Sequence, residues 1–421
     1  MPKFVTLDRD ELLSAQLKVV GVGGGGCNAI ESMMAKGLNG VEYVAVNTDA
    51  QVLQMSSANH KIQIGTNITR GLGAGADPNV GRKALEEDRE KITKVLEGSD
   101  MVFVTAGMGG GTGTGGAPIV ASIAKSLGAL VIGIVTKPFK WEGKRRMLNA
   151  EEGIHDLRRN VDSLIVIPND RLLNILDRTV SARTAFDKPN EVLYEATRGI
   201  ADIITIPGII NVDFADVRSV MNSSGEALMG AGIANGENRA IEAAQKAISS
   251  PLLDGISIKG AKNILLNVTG SDDLTMQEID EGNKVIYDAA GEEANVIFGW
   301  VSKEEMNDNV SYTVIATGFG NDTKKQSKIV PEKKETVAEK ENKFAGYTVE
   351  NIEIPTEPEE LDTPTIFRVR GTNKILSDEK QIPNGGFKLG QLDAFENTEV
   401  EEKKEQKKDR GGSSFLRMMM D

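Results

Sequence analysis

The chain has 421 residues, a formal net charge of −13, 39 % apolar residues and one cysteine, Cys27. A chain this acidic lacks the basic face that nucleic-acid phosphates require, which excludes general DNA or RNA binding. A lone cysteine excludes an internal disulfide and suits a reducing compartment, and the length holds two or three domains.

The start, MPKFVTLDRDELL, carries early acids and no long apolar run, so it does not read as a secretory leader. No later stretch reads as long enough to span a bilayer, and a cytoplasmic protein is expected. The two histidines, His60 and His155, have no metal-ligand companions, so neither a resident metal site nor a Ser/His/Asp triad is expected.

Residues 1–16 read as a polar extension. Leu17–Val22 reads as a strand that runs into Gly21-Val22-Gly23-Gly24-Gly25-Gly26-Cys27-Asn28 and a helix to about Lys36. Strands follow at Val41–Val46, which ends in Asn47-Thr48-Asp49, and at Lys61–Ile64. A glycine-rich loop occupies 71–78, and one charged helix is predicted over Asn79–Glu97. Met101–Val104 then leads into Gly109-Gly110-Gly111-Thr112-Gly113-Thr114-Gly115, a strand-to-helix loop, with the helix predicted from Ala117 to Ser126. Ala129–Val135 reads as a strand, Gly143–Asn160 as a helix and Ser163–Ile167 as a strand ending in Pro168-Asn169-Asp170. Strands alternating with helices predict an α/β, doubly wound, Rossmann-like parallel sheet, and such sheets bind ligands at the carboxyl ends of their strands.

A long helix is predicted next, with Pro189 in its first turn and Pro207-Gly208 stopping it. Val192, Leu193, Ala196, Ile200, Ile203 and Ile204 give it a broad apolar stripe, so it is expected to be buried between two sheets. Asn211-Val212-Asp213-Phe214-Ala215-Asp216 opens another helix. Residues 223–318 read as a smaller α+β domain: strands at Glu226–Ala234, Ile264–Thr269, Ala294–Val301 and Val310–Gly318, with helices at Gly236–Ile248 and Leu274–Ala290. Residues 321–410 are mixed-charge and poor in aromatics, the composition of a disordered linker. As a flexible coil its ~90 residues would span roughly 50 Å on average. The apolar tip at 411–421, or a second segment at 362–370 around Asp362-Thr363-Pro364-Thr365-Ile366-Phe367-Arg368, reads as a peptide that docks on partners.

Backbone N–H groups of the glycine loops, the hydroxyls of Thr112 and Thr114 and a helix N-terminus together suit an anion. Three nucleotide chemistries compete. Gly21-x-Gly23-x-x-Gly26 with Asp49 after the next strand fits a dinucleotide fingerprint, but leaves Gly109–Gly115 without a purpose. A P-loop needs G-x-x-x-x-G-K-[ST], and neither loop offers that lysine. The third reading is a nucleoside triphosphate held by backbone amides from several loops.

Here the residues carry a resemblance. GGGTGTG, GVGGGGCNAI, NTDAQ, GLGAGADP, WEGKRRM, IPND and NVDFADV are similar to the motifs of the tubulin/FtsZ family, and within it to the bacterial cell-division branch, over about 15–320. The resemblance implies a GTP-binding domain at 17–188, a central helix at 189–206, a catalytic loop with a C-terminal domain at 207–320, and GTP or GDP with Mg²⁺ as ligands. It implies that Gly24, Gly25, Gly26, Cys27 and Asn28 line a first phosphate loop and that Gly110, Gly111, Thr112, Gly113 and Thr114 hold the β- and γ-phosphates. Glu142 and Arg146 would reach the ribose and phosphates, Phe186 would stack on the base, and Asn169 and Asn190 would face its polar edge. Asp213 and Asp216, with Asn211 orienting their loop, would be catalytic; Asp213 is equally placed to cap the helix that starts at Phe214. The central helix, about 17 residues, spans roughly 25 Å at 1.5 Å per residue, so these acids are expected to serve a neighbouring chain stacked head to tail. The resemblance thus implies an assembly-dependent GTPase that forms cytoskeletal filaments at the division site and binds membrane-linked adaptors through its tail. A filament protein that binds GTP and barely hydrolyses it is the alternative if the acids only cap. Gly116 stands where the family usually has alanine, Asp77 where asparagine is frequent, and Pro189 interrupts the run from Phe186 to Asn190.

Overall fold

The computed structural model describes residues 15–319, apart from 174–175, 177–178, 207, 211 and 254–257. The expectations for 321–410, 411–421, 362–370 and Asn211 therefore lie outside the described residues, which belong to one compact unit. Among them no helix is long and apolar enough to cross a membrane.

The first half alternates strands and helices in this order: β1 (Leu17–Val22), α1 (Gly23–Ala35), β2 (Glu42–Asn47), α2 (Ala50–Met55), β3 (His60–Gln63), α3 (Thr66–Thr69), α4 (Pro78–Glu87), α5 (Arg89–Leu96), β4 (Met101–Gly107), α6 (Thr112–Ser126), β5 (Leu130–Lys137), α7 (Lys144–Arg158), β6 (Ser163–Pro168) and α8 (Asn169–Leu173). Its strands pair in parallel in the order β3-β2-β1-β4-β5-β6, the doubly wound arrangement expected. Strand periodicity sends alternate residues to opposite faces: Val19, Met101 and Phe103 enter one core, and Val20, Val22, Val102 and Val104 the other.

The second half runs α9 (Ala182–Thr205), α10 (Phe214–Met221), β7 (Gly225–Asn235), α11 (Arg239–Ile248), β8 (Asn263–Gly270), α12 (Met276–Ala290), β9 (Asn295–Ser302) and β10 (Asn309–Thr317). The two sheets expected around α9 are instead one. The start of β7 pairs in parallel with β6, at Ser163↔Gly225 to Ile165↔Ala227, and its later residues pair antiparallel with β10. The sheet then ends with β8 and, at its edge, β9. A core shared by α1, α9 and residues such as Met229, Leu265 and Ile315 crosses the seam. Fully buried Ile30, Met33 and Ile200 within it each contribute roughly 1.5–3 kcal/mol of transfer free energy.

Four of the boundaries that differ from the sequence reading have a clear local reason. The single helix over 79–97 breaks at Asp88, whose buried carboxylate turns inward to accept from Gly65 N at 2.8 Å and pairs with Lys91 at 2.7 Å. The helix expected from Ala117 begins at Thr112, because glycines in its first turns let backbones pack. A Cβ on Gly115 would lie 2.0 Å from the Pro78 carbonyl. The helix expected from Leu274 begins at Met276 behind a Thr275–Glu278 capping box, with Leu274 and Ile279 buried as its staple.

The central helix differs most. It starts not at Pro189 but at Ala182, where the Ser181 hydroxyl caps it by accepting from Thr184 N at 3.2 Å. Pro189 sits inside the helix and removes one internal hydrogen bond, a loss that packing offsets. Phe186 is therefore on the helix, not before it.

Candidate nucleotide site

The carboxyl ends of β1, β4, β5 and β6 open into a cleft closed on one side by α9. Gly25, Asn28, Gly107, Met108, Gly110, Thr136, Pro138, Phe139, Glu142, Arg146, Asn169, Phe186, Pro189, Asn190 and Leu193 line it. Eight of the sequence candidates are thus brought together: Gly25, Asn28, Gly110, Glu142, Arg146, Asn169, Phe186 and Asn190.

Two helix N-termini converge on this cleft. The first turn of α1 begins at Gly23, directly after β1, and that of α6 at Thr112. Each first turn leaves backbone N–H groups without intrahelical partners and carries about +0.5 of an elementary charge. Gly23 has φ +73° and Gly109 φ +105°, so both turns need glycine. Gly25 and Gly107 face one another across the floor, where a Cβ on Gly25 would stand 3.0 Å from Gly107 Cα.

The remaining glycine-loop candidates, Gly24, Gly26, Cys27, Gly111, Thr112, Gly113 and Thr114, are near the cleft but do not line it. Several are glycine for packing. A Cβ on Gly26 would meet the Thr105 carbonyl at 2.6 Å, on Gly111 the Ala74 Cβ at 2.7 Å, and on Gly113 the Gly107 carbonyl at 3.0 Å. The two hydroxyls are also spent internally. Thr112 Oγ1 and Thr48 Oγ1 share a hydrogen bond of 2.7 Å, and Thr114 Oγ1 accepts from Gly109 N at 2.8 Å. They brace the loop. The Cys27 side chain lies in the core beneath α1, and burial, then the charge of Glu31, pushes its thiol up to about 12.

On the opposite wall Glu142 and Arg146 hold one another. Arg146 donates to Glu142 Oε2, and Glu142 Oε1 accepts from Phe139 N at 2.8 Å, closing a short turn over 140–142. Above them three rings cluster. Phe139 stacks on Trp141 at 5.4 Å, and both meet Phe186 edge-on at 5.8 Å. Trp141 remains 64 % exposed. Phe186, Pro189, Asn190 and Leu193 recur at i, i+3, i+4 and i+7, so one face of α9 forms this wall. That spacing was in the sequence; reading Pro189 as a helix start concealed it. Phe139, Thr136 and Pro138, missed as candidates, directly follow or end β5, the place where such sheets put ligand contacts.

Asn169 is 9 % exposed, and its Oδ1 has no hydrogen-bond partner. A buried unsatisfied acceptor on a cleft wall suits a ligand N–H donor. Asp49, the acid of the dinucleotide reading, instead caps α2 by accepting from Gln51 N at 2.8 Å and does not line the cleft.

Asp213 and Asp216 are elsewhere. Asp213 caps α10, its carboxylate accepting from Asp216 N at 3.1 Å, and both acids are exposed. The Asp216 carboxylate has no partner among the described residues. Both follow the far end of α9. From Phe186 to Thr205 that helix advances about 28 Å at 1.5 Å per residue.

The GTPase-domain model of the Tubulin/FtsZ family matches residues 16–177, and the C-terminal-domain model of the FtsZ family matches 225–320. The chain is similar to an empty FtsZ dimer from M. jannaschii, at 44 % identity over 73 % of this chain and 89 % of that one, with a TM-score of 0.70. It shares the fold of CetZ2 from Haloferax volcanii, solved as a GTPγS-bound protofilament, at 22 % identity over 73 % of this chain and 94 % of that one, with a TM-score of 0.63.

Proposed function

We propose that this chain, which belongs to the Tubulin/FtsZ family and is a GTPase that binds guanine nucleotide, assembles head to tail into filaments and hydrolyses GTP between adjacent subunits. One observation carries this reading: among the described residues, the carboxylates of Asp213 and Asp216 lie away from the cleft, past the far end of α9. Among the described residues that line the cleft the one carboxylate is that of Glu142, which is committed to Arg146 and to Phe139 N. The unpartnered Asp216 carboxylate lies beyond the other end of α9. Stacking one chain on the next would bring the two ends together, and a heterologous contact that does not close makes a filament. The dimer and protofilament forms of the similar proteins support the same arrangement.

In this reading the α1 and α6 amides hold the phosphates, the Phe186 ring covers the base, and Asn169 Oδ1 accepts from its amino edge. Asp216 of the adjoining chain orients a water in line with the γ-phosphate, and Asp213 holds the start of α10 in place. Asn211, outside the described residues, would orient the same loop. Mg²⁺ would be held mainly by the phosphates and water, and it supplies charge neutralisation on the leaving group. The filament would act at the bacterial division site, in the cytoplasm. The tail, through 411–421 or 362–370, would reach membrane-tethering and regulatory proteins.

Asp216→Ala tests this directly. Its carboxylate makes no hydrogen bond or ion pair among the described residues, so the variant is expected to fold, bind GDP and sediment with GTP, while turnover is lost. Retained turnover overturns the reading. Asp213→Asn keeps a capping oxygen and removes the charge, and so separates the helix-capping role from a catalytic one.

A further inference from the structure

We infer that strand β9 is the seat of the loop carrying Asp213 and Asp216, and that Gly299 is a positioning residue for hydrolysis. This inference rests on the reading that those acids act on a neighbour's nucleotide.

The seat has two parts. β9 is the edge of the sheet, and its free side accepts the loop as a short antiparallel bridge between Ile210 and Trp300. Ile209 N donates to the Trp300 carbonyl at 3.1 Å, and Trp300 N donates to the Ile210 carbonyl at 3.2 Å. The loop thereby uses edge groups that would otherwise be unpaired.

The second part is a hollow over Gly299. Along β9, Val296, Phe298 and Trp300 pack with the core under α11 and α12, while Ile297 packs toward α9. Gly299 shares the Ile297 face. A Cβ at 299 would stand 3.3 Å from Val212 Cγ2 and 3.5 Å from Ile203 Cγ2. Val212, 6 % exposed, fills the space left by the missing side chain. Val212 precedes Asp213, whose carboxylate fixes the first turn of α10 and with it Asp216. A side chain at 299 therefore pushes on Val212 and displaces both acids together. The cleft at the other end of α9 is untouched.

The test uses the full chain with GTP and Mg²⁺. Gly299→Val is expected to keep GDP affinity and sedimentation with GTP, while turnover per sedimented chain falls roughly 10- to 100-fold, the scale of a 1 Å misplacement. Adding Val212→Ala is expected to recover much of that loss. If Gly299→Val does not fold, Gly299→Ala gives the same reading, with a few-fold loss that Val212→Ala reverses. Wild-type turnover in the Gly299 variants, beside a dead Asp216→Ala, overturns this inference alone. So does a fall in GDP affinity that matches the fall in turnover, or a loss that Val212→Ala does not reverse. Normal turnover in Asp216→Ala overturns the underlying reading instead.

Discussion

At the scale of single residues, Asn169 and Cys27 show how burial alone decides a role. The Asn169 Oδ1, a buried acceptor with no hydrogen-bond partner, would be relieved by a base N–H in the proposed reading. Asn169→Leu is expected to lower GDP affinity about tenfold, equivalent to ~1.4 kcal/mol, without lowering the melting temperature. Titration calorimetry reads the first and thermal unfolding the second; unchanged affinity would count against Asn169 as a base contact. Cys27 behaves in the opposite way. Its thiol is held well above the ordinary range by burial, and only the thiolate alkylates, so iodoacetamide should label the chain only after unfolding. Rapid labelling of the native chain would contradict the placement of Cys27 in the core. Gly115 is a third case. Its substitution by alanine drives a Cβ into the Pro78 carbonyl, an overpacking cost of about 1–3 kcal/mol, with a melting temperature lower by several degrees at ~2–4 °C per kcal/mol.

At the scale of elements, α9 joins the nucleotide wall to the loop of acids, and its flank is charged. Lys36 and Lys188 pair with Glu191 at 3.2 and 2.7 Å, and Asp202 takes Arg198 at 2.9 Å and Lys303 at 2.6 Å. Glu195, between these pairs, has no hydrogen-bond or ion-pair partner among the described residues. Burial, reinforced by Glu191, raises its proton affinity against the pull of Lys188, Lys36 and Arg198. A carboxyl with its affinity raised on folding costs stability where it is ionised, and that cost disappears as the pH falls and the group protonates. Glu195→Gln should therefore raise the melting temperature at neutral pH, with the gain shrinking in mildly acidic buffer. A gain that grows on acidification would contradict the sign.

The same elements show what the sequence made legible. The alternation of strands and helices, the converging loops and the apolar stripe of α9 all followed from periodicity and glycine placement. The helix break at Asp88 and the two turns of α9 before Pro189 did not, because the first depends on a partner distant in sequence and the second on tolerance of a lost hydrogen bond; the Thr275–Glu278 capping box is local and stood in the sequence as T-x-x-E. Thr112 and Thr114 were expected to reach the phosphates because hydroxyls beside glycines suit anions. The Thr48 partner emerges only once β1 is set between β2 and β4, whereas Gly109 N is a partner within the same loop. Glu142 and Arg146 were expected to reach the ribose and phosphates; both line the cleft, and the turn at Gly143 between them lets them pair with one another.

At the scale of the whole molecule, one continuous sheet and one long helix hold the cleft and the Asp213–Asp216 segment apart. The nucleotide wall and the loop 209–213 occupy opposite ends of α9, so no small movement within a chain brings Asp216 to the cleft. The account stands or falls on whether a second copy supplies the missing carboxylate. GTP turnover measured against protein concentration, with Mg²⁺ present, tests this most directly. The account predicts a threshold below which turnover is negligible and above which it rises with each added chain, at the concentration where sedimentable polymer first appears. Constant turnover per chain down to the lowest concentrations would mean that the site is complete within one chain, and Asp213 and Asp216 would lose their assigned role.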